Sequence, residues 1–289
     1  MSTGRRIENA LLAAVAEAGG QGCAPGLSRA LHHAVFPGGK RVRPRLVLAV
    51  AAACGVQDAP LALPAAVAIE LLHCASLVHD DLPCFDDAGV RRGQPSVHAA
   101  FGVPIAVLTG DALIVLAFDA LAAHASSDAV TAARLMRVVA GAVGAPSGIV
   151  SGQAWETEAE IDIEAYHRAK TASLFSGAAA AGAIAAGADP APWQRFGDGL
   201  GLAFQVADDM CDAFADQEEI GKPVARDEVL GRPNAVRGLD LAEAVGHVEG
   251  LIEDALSEVP QCPGRTVFCS LVEREARRLL PSSLARVAA

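Results

Sequence analysis

Two acidic clusters, Asp80-Asp81-Leu82-Pro83-Cys84-Phe85-Asp86-Asp87 and Asp208-Asp209-Met210-Cys211-Asp212, lie more than a hundred residues apart in an apolar chain. Carboxylates in apolar, helix-like sequence are costly unless something compensates them. Oxygen-only ligands suit a hard divalent cation, magnesium above all. Two carboxylate banks facing each other across a cavity would hold magnesium, and the ions would hold a diphosphate. The chemistry suggested is therefore that of a diphosphate ester. Pro83 should end a helix just after Asp80 and Asp81, because proline disfavours helical geometry in the residue before it. A helix C-terminus repels carboxylates, so these aspartates do not stabilise their own helix. In the second cluster Asp208 and Asp212 share one helix face, with Asp209 turned away by roughly 100°.

Cations accompany the acids. Phe36-Pro37-Gly38-Gly39-Lys40-Arg41-Val42-Arg43-Pro44-Arg45 sets four cations in six positions behind a diglycine turn. Glycine lets backbone approach a ligand closely, and an arginine fork matches phosphate oxygens. Arg91-Arg92-Gly93 follows the first acidic cluster, and Lys170-Thr171 and Gly221-Lys222-Pro223 add two isolated lysines. His73 lies on the same helical stretch as Asp80, two turns earlier. Gly152-Gln153 offers a lone amide. With no His/Cys grouping at ligand spacing, zinc is not expected.

Helices must position these residues. Apolar periodicity predicts helices over 7–18, 43–54, 61–79, 105–123, 129–143, 163–186, 193–214, 241–256 and 267–280. Gly, Pro and Asp punctuate the gaps between them. No strand-like alternation competes, and there is neither a repeat nor a linker, so one all-α domain over 1–289 is expected. Hydrophobic residues are 52% of the chain and aromatics only 4%. A core of Ala, Leu and Val follows, which favours closely packed helices. The net charge of −11 excludes nucleic acid as partner, since phosphate backbones need basic surface. Seven scattered cysteines without a CxxC pair read as reduced thiols of a cytoplasmic protein. The mean hydropathy of +0.33 invites a membrane assignment. However, the uncharged runs nearest to spanning length, 138–155 and 171–188, are broken by Pro146 or rich in small residues. No signal peptide and no membrane span are expected, and the chain reads as soluble.

Taken together, these residues resemble the trans-isoprenyl diphosphate synthases, from about Phe36 to Arg237. The elements occur in that family's order: Gly38-Gly39-Lys40-Arg41-x-Arg43-Pro44, the first DDxxxxD cluster running on to Arg91-Arg92-Gly93, Gly152-Gln153, Lys170-Thr171, and Phe204-Gln205-x-x-Asp208-Asp209-x-x-Asp212 with Lys222. The resemblance implies an isoprenoid synthase fold, a single helical bundle around a central cavity, and a homodimer. It implies magnesium on Asp80, Asp81, Asp86, Asp208 and Asp212. Lys40, Arg43, His73 and Arg92 would bind isopentenyl diphosphate. Arg91, Lys170, Thr171, Gln205 and Lys222 would contact the allylic diphosphate (dimethylallyl, geranyl or farnesyl), with Gln153 nearby. The Thr171 hydroxyl, the Gln153 amide oxygen and the Lys170 main-chain carbonyl would stabilise the allylic cation. Cys74 and Ala75, just before the first aspartates, would set product length, and their small size implies twenty carbons.

The chain departs from the pattern in two places. Ala88-Gly89 follows Asp87 where many relatives carry more acids. Gly231-Arg232-Pro233-Asn234-Ala235 replaces a Lys-Ser/Thr pattern, as it does in members of bacterial carotenoid pathways. The leading expectation is a geranylgeranyl diphosphate synthase, with a farnesyl diphosphate synthase next. A cyclase has no need of the Lys40, Arg43, His73 and Arg92 set, and a non-catalytic partner subunit would have lost aspartates.

Overall fold

The computed structural model describes residues 1–36, 38–214, 235–236 and 238–276. Pro37, Lys222, residues 231–234 and Arg237 lie outside them. The chain forms two compact units: Met1–Ala52, Val56–Val139 and Ala181–Ala188 make up the first, and Ala53–Gly55, Ala140–Ala180 and Asp189–Ala289 the second.

The first unit holds α1 (Thr3–Ala18), α2 (Pro25–Val35), α3 (Val42–Ala53, to Ala52), α4 (Ala62–Asp80), a hairpin of β1 (Val90–Arg91) and β2 (Gln94–Pro95), α5 (Val97–Phe101), α6 (Val103–Ala122) and the first part of α7 (Ala129–Val143). Ile7, Leu11 and Val15 recur every four residues and form the buried stripe of α1. α4 has no such stripe, because it is apolar and buried on nearly every side. Its buried charge, Glu70, accepts from Arg41 Nη1 at 2.7 Å. α4 packs along α6, and α1 and α2 pack on both of these helices. One face of α6 remains bare: Val103, Val107, Leu108 and Val115 are 43, 38, 52 and 69% exposed. α4 and α6 are each long and apolar enough to cross a membrane, although most of α4 is buried. Both helices interrupt their apolar run with acids, Glu70 in α4 and Asp111 and Asp119 in α6.

The second unit holds the end of α7, then α8 (Ile149–Trp155), α9 (Ile163–His167), a π-helical turn (Arg168–Ala172), α10 (Ser173–Ala185, to Ala180), α11 (Ala191–Phe214), α12 (Leu241–Ser257) and α13 (Arg265–Ala276). Its core is built where α11 meets α12, with Val206, Ala207 and Met210 against Ala244, Val245 and Val248. The scarce aromatics cluster here: the Phe268 ring lies 5.1 Å from Trp193 and 5.2 Å from Phe196, edge to face in both cases. All seven cysteines are free thiols.

Three features depart from the periodicity. α2, α5 and α8 are additional helices. The stretch 163–186 is not one helix but α9, the π turn and α10 in succession. A single wide turn inserts one residue into the hydrogen-bond ladder without disturbing the apolar pattern. The chain between α4 and α5 also forms a short hairpin, where no strand was expected.

Candidate active site

α4 ends at Asp80 with Asp81 as its cap, as Pro83 requires. The loop beyond turns back on itself. The Asp86 N–H donates to the Asp80 carbonyl at 2.9 Å, and the Ala88 N–H to the Asp81 carbonyl at 3.1 Å. Asp80 and Asp86 are thus neighbours, both half-buried. Asp81 is spent differently. It is 2% exposed, and its two oxygens accept from Arg91 Nε at 3.0 and 3.2 Å. Arg91 Nη2 lies 3.9 Å from Asp80. Burial opposes the guanidinium charge, yet the hydrogen bonds to Asp81 and the charges of Asp81, Asp80 and Asp86 outweigh it and raise the Arg91 pKa.

The hairpin supplies both arginines. Arg91 sits in β1 opposite Gln94. Arg92 and Gly93 form the turn at φ +53° and +75°, the left-handed pair whose twist matches paired strands. Arg92 Nη1 donates to the Gly38 carbonyl. A β-carbon on Gly39 would lie 2.8 Å from that same nitrogen, so the diglycine admits a guanidinium that any side chain would displace.

The cations behind the diglycine divide. Arg41, at φ +48°, turns inward and is 4% exposed. It donates to Glu8 at 2.8 Å, Glu70 at 2.7 Å and the Val35 carbonyl at 2.8 Å. It is therefore a structural cation. Lys40 is exposed and Arg43 half-buried. Burial, and then the charge of Arg92, pushes Arg43 down to about 10, with Glu70 opposing. His73 is held well below its usual value by burial and by the charges of Arg43, Arg92, Arg91 and Arg41. The imidazole is therefore neutral at pH 7 amid four guanidinium groups. A pocket of about 30 Å³, room for a water, is lined by His33, Cys74, Asp81, Arg91, Arg92 and Ser96 among others. Burial pushes the Cys74 thiol up to about 12. Ala75 is 1% exposed and does not line this pocket.

In the second unit the π turn carries Lys170 and Thr171, and α8 crosses it so closely that a methyl on Gly152 would overlap the Lys170 backbone. Glu156, just beyond α8, accepts from Gln153 Nε2 at 2.9 Å, from the Tyr166 hydroxyl at 2.7 Å and from the Lys170 ammonium. The Lys170 ammonium also lies 5.9 Å from the centre of the Tyr166 ring. On α11, Gln205 Oε1 accepts from the Thr171 hydroxyl at 2.5 Å, and Gln205 Nε2 donates to Asp209 at 2.7 Å. The other Asp209 oxygen accepts from the Ala235 N–H at 2.7 Å. Asp209 is 2% exposed while Asp208 faces solvent, the division expected from helical geometry. Asp212 lies in α11, and its side chain is outside the described residues.

Arg41 in the first unit, and Glu156, Tyr166 and Asp209 in the second, thus hold their neighbours in place without having been singled out from the sequence for that role. The polyprenyl synthetase family model matches residues 24–265. The chain belongs to the polyprenyl synthetase family. Within it, a geranylgeranyl diphosphate synthase of Cereibacter sphaeroides is 48% identical over 285 residues, covering 99% of each chain. A second geranylgeranyl diphosphate synthase, from Rhodobacter capsulatus, is 44% identical over 289 residues, covering 99% of this chain and all of the relative. A crystal structure of a Helicobacter pylori geranyltransferase, complexed with magnesium and isoprenyl diphosphate, superposes with a TM-score of 0.77 at 30% identity. It covers 94% of this chain and 96% of that one. The all-α architecture of this polyprenyl synthetase is that of the isoprenoid synthases.

Proposed function

We propose that this polyprenyl synthetase is a geranylgeranyl diphosphate synthase, joining isopentenyl diphosphate head-to-tail to dimethylallyl, geranyl and farnesyl diphosphates. The observation that carries the proposal is the gathering of Arg43, Arg91 and Arg92 around an uncharged His73. Like charges held together by the fold call for a polyanion. This group forms an anion site beside the carboxylates, as joining two diphosphates requires. The length of twenty carbons is supported by the two synthases from Cereibacter and Rhodobacter.

Lys40, Arg43 and Arg92 grip isopentenyl diphosphate through charge-assisted hydrogen bonds. His73 adds a hydrogen bond without adding charge. Asp81 keeps Arg91 in place. Arg91 and Lys170, with Lys222, serve the allylic diphosphate. The donors on Asp80 and Asp86, and on Asp208 and Asp212, are all carboxylate oxygens and fit magnesium. Magnesium held by these carboxylates would supply positive charge that stabilises the leaving allylic diphosphate. As the allylic carbon becomes cationic, the Thr171 hydroxyl, the Gln153 amide oxygen and the Lys170 main-chain carbonyl offer it their negative ends. The isopentenyl double bond attacks, a carbon–carbon bond forms, and the proton then lost passes to the departing diphosphate. Cys74 and Ala75 leave room for the lengthening chain. We further propose a cytoplasmic homodimer in which the bare face of α6 is covered by a second copy.

The test is to incubate the purified protein with isopentenyl diphosphate and each allylic starter, with and without a chelator, and to identify the product. Geranylgeranyl diphosphate, formed only with magnesium, is expected. A product of fifteen carbons would make it a farnesyl diphosphate synthase. Uncondensed hydrocarbon or no turnover would reject the proposal.

A further inference from the structure

We infer that two carboxylates given no role in the chemistry above, Asp209 and Glu156, lock the polarity of the dipoles that meet the allylic cation. The inference rests on the function proposed above and adds two positioning residues to it.

A hydroxyl or a primary amide presents either a positive hydrogen or a negative oxygen, and rotation exchanges the two. Beside a growing cation the wrong orientation is worse than no dipole at all, so orientation has to be fixed before substrate arrives. Both oxygens of Asp209 are committed to obligate donors, Gln205 Nε2 at 2.7 Å and the Ala235 N–H at 2.7 Å. Asp209 is therefore an acceptor only, and the amide end of Gln205 facing it must be nitrogen. The Gln205 oxygen is then turned to Thr171, 2.5 Å from its hydroxyl oxygen. The one hydroxyl proton of Thr171 goes to that oxygen, which leaves only lone pairs for anything else. Burial of Asp209, 2% exposed, keeps water from offering the relay another arrangement. Glu156 does the same in one step: it takes the nitrogen of Gln153 at 2.9 Å and leaves the amide oxygen uncommitted to it.

Asp209→Asn nearly preserves shape but destroys the acceptor pair. The new amide cannot face both the Ala235 N–H and Gln205 with oxygen. When its nitrogen faces Gln205, that amide flips, its nitrogen meets the Thr171 oxygen, and the Thr171 proton is released toward the reacting carbon. The experiment measures condensation kinetics of wild type, Asp209→Asn, Thr171→Val and the double variant, with folding followed by circular dichroism. We expect Asp209→Asn to lower kcat on the order of 100-fold, as loss of an oriented catalytic dipole does, with both KM values within about twofold. The double variant should be no slower than the slower single variant, because Asp209 acts only through Thr171. An unchanged kcat in Asp209→Asn, a change confined to KM, or multiplying effects in the double variant would overturn the relay. Should Asp209→Asn fail to fold, Gln205→Leu takes its place in the cycle with Thr171→Val, since Gln205 carries the same relay, and multiplying effects on kcat again overturn it. A wild-type protein that does not condense these substrates would instead defeat the proposed function.

Discussion

At the end of α4, Asp80 is half-buried with Arg91 3.9 Å away, whereas the neighbouring Asp81 gives both oxygens to that guanidinium. Asp80→Ala should abolish turnover with a much smaller fall in thermal midpoint than Asp81→Ala, since it removes a proposed ligand and relieves crowding among like charges. Asp81→Ala should lose stability as well, on the order of 2–3 kcal/mol, because a buried bidentate pair loses one partner that water only partly replaces. Measuring rate and midpoint on both variants checks the division, and equal loss of stability would refute it. His73 gives a pH signature. Burial and the surrounding arginines hold it well below its usual value of 6.5, so the unfolded chain binds a proton that the folded chain refuses. The stability tied to His73 is complete above pH 6.5 and is lost as pH falls toward the folded value. His73→Gln should therefore lose less thermal midpoint than wild type between about pH 7 and about pH 5. The ligand types and their pairing in DDxxxxD were legible in the sequence because carboxylates in apolar surroundings are conspicuous. Arg41 was not separable from Lys40 and Arg43, since its inward turn follows from a backbone angle that residue type does not announce. Glu156 was hidden in the polar run Glu156-Thr157-Glu158, and its hydrogen bonds from Gln153, Tyr166 and Lys170 are what set it apart from a solvated surface acid.

Long helices were found and shorter elements were missed, even α2 with its buried stripe of Ala30, Leu31 and Val35. α7 matches its expected bounds, and the start of α12 follows from the capping box of Asp240 with Glu243. α2 and α8 are short helices among Gly and Pro residues, and the hairpin has strands of only two residues, too short to show alternation. The missed pieces nevertheless do much of the positioning, with the hairpin aiming two arginines and α8 gripping the π turn. On α4, Ala75 lies five residues before Asp80, roughly 7.5 Å along the helix. Ala75→Phe should shift the product from geranylgeranyl to farnesyl diphosphate. The added bulk costs about 1–3 kcal/mol at a site that is 1% exposed, so the midpoint should be followed beside the product analysis. A folded, active variant with unchanged product would place the floor elsewhere.

For the molecule as a whole, the bare stripe of α6 is a face that a partner could cover. Val103, Val107 and Val115 recur along one face, and a second copy covering them would make the protein a dimer. Val115→Asp should convert that dimer to monomer by sedimentation, whereas a wild-type monomer at micromolar concentration would dismiss the interface. The pair of Arg41 with Glu8 bears on the opposite end of the chain. The family match begins at residue 24, which makes the preceding helix look dispensable. Yet Glu8 on α1 is one of two carboxylates neutralising a guanidinium that is 4% exposed. Losing a partner from a buried pair costs about 3–5 kcal/mol, and roughly half of that is expected here because the Glu8 side chain is 43% exposed. A protein trimmed to the family boundary should therefore melt earlier than the full chain, and Glu8→Gln should reproduce part of that fall. The leading helix is thus a counterweight to a charge that acts on His73, and trimming it should disturb the proposed anion site from a distance.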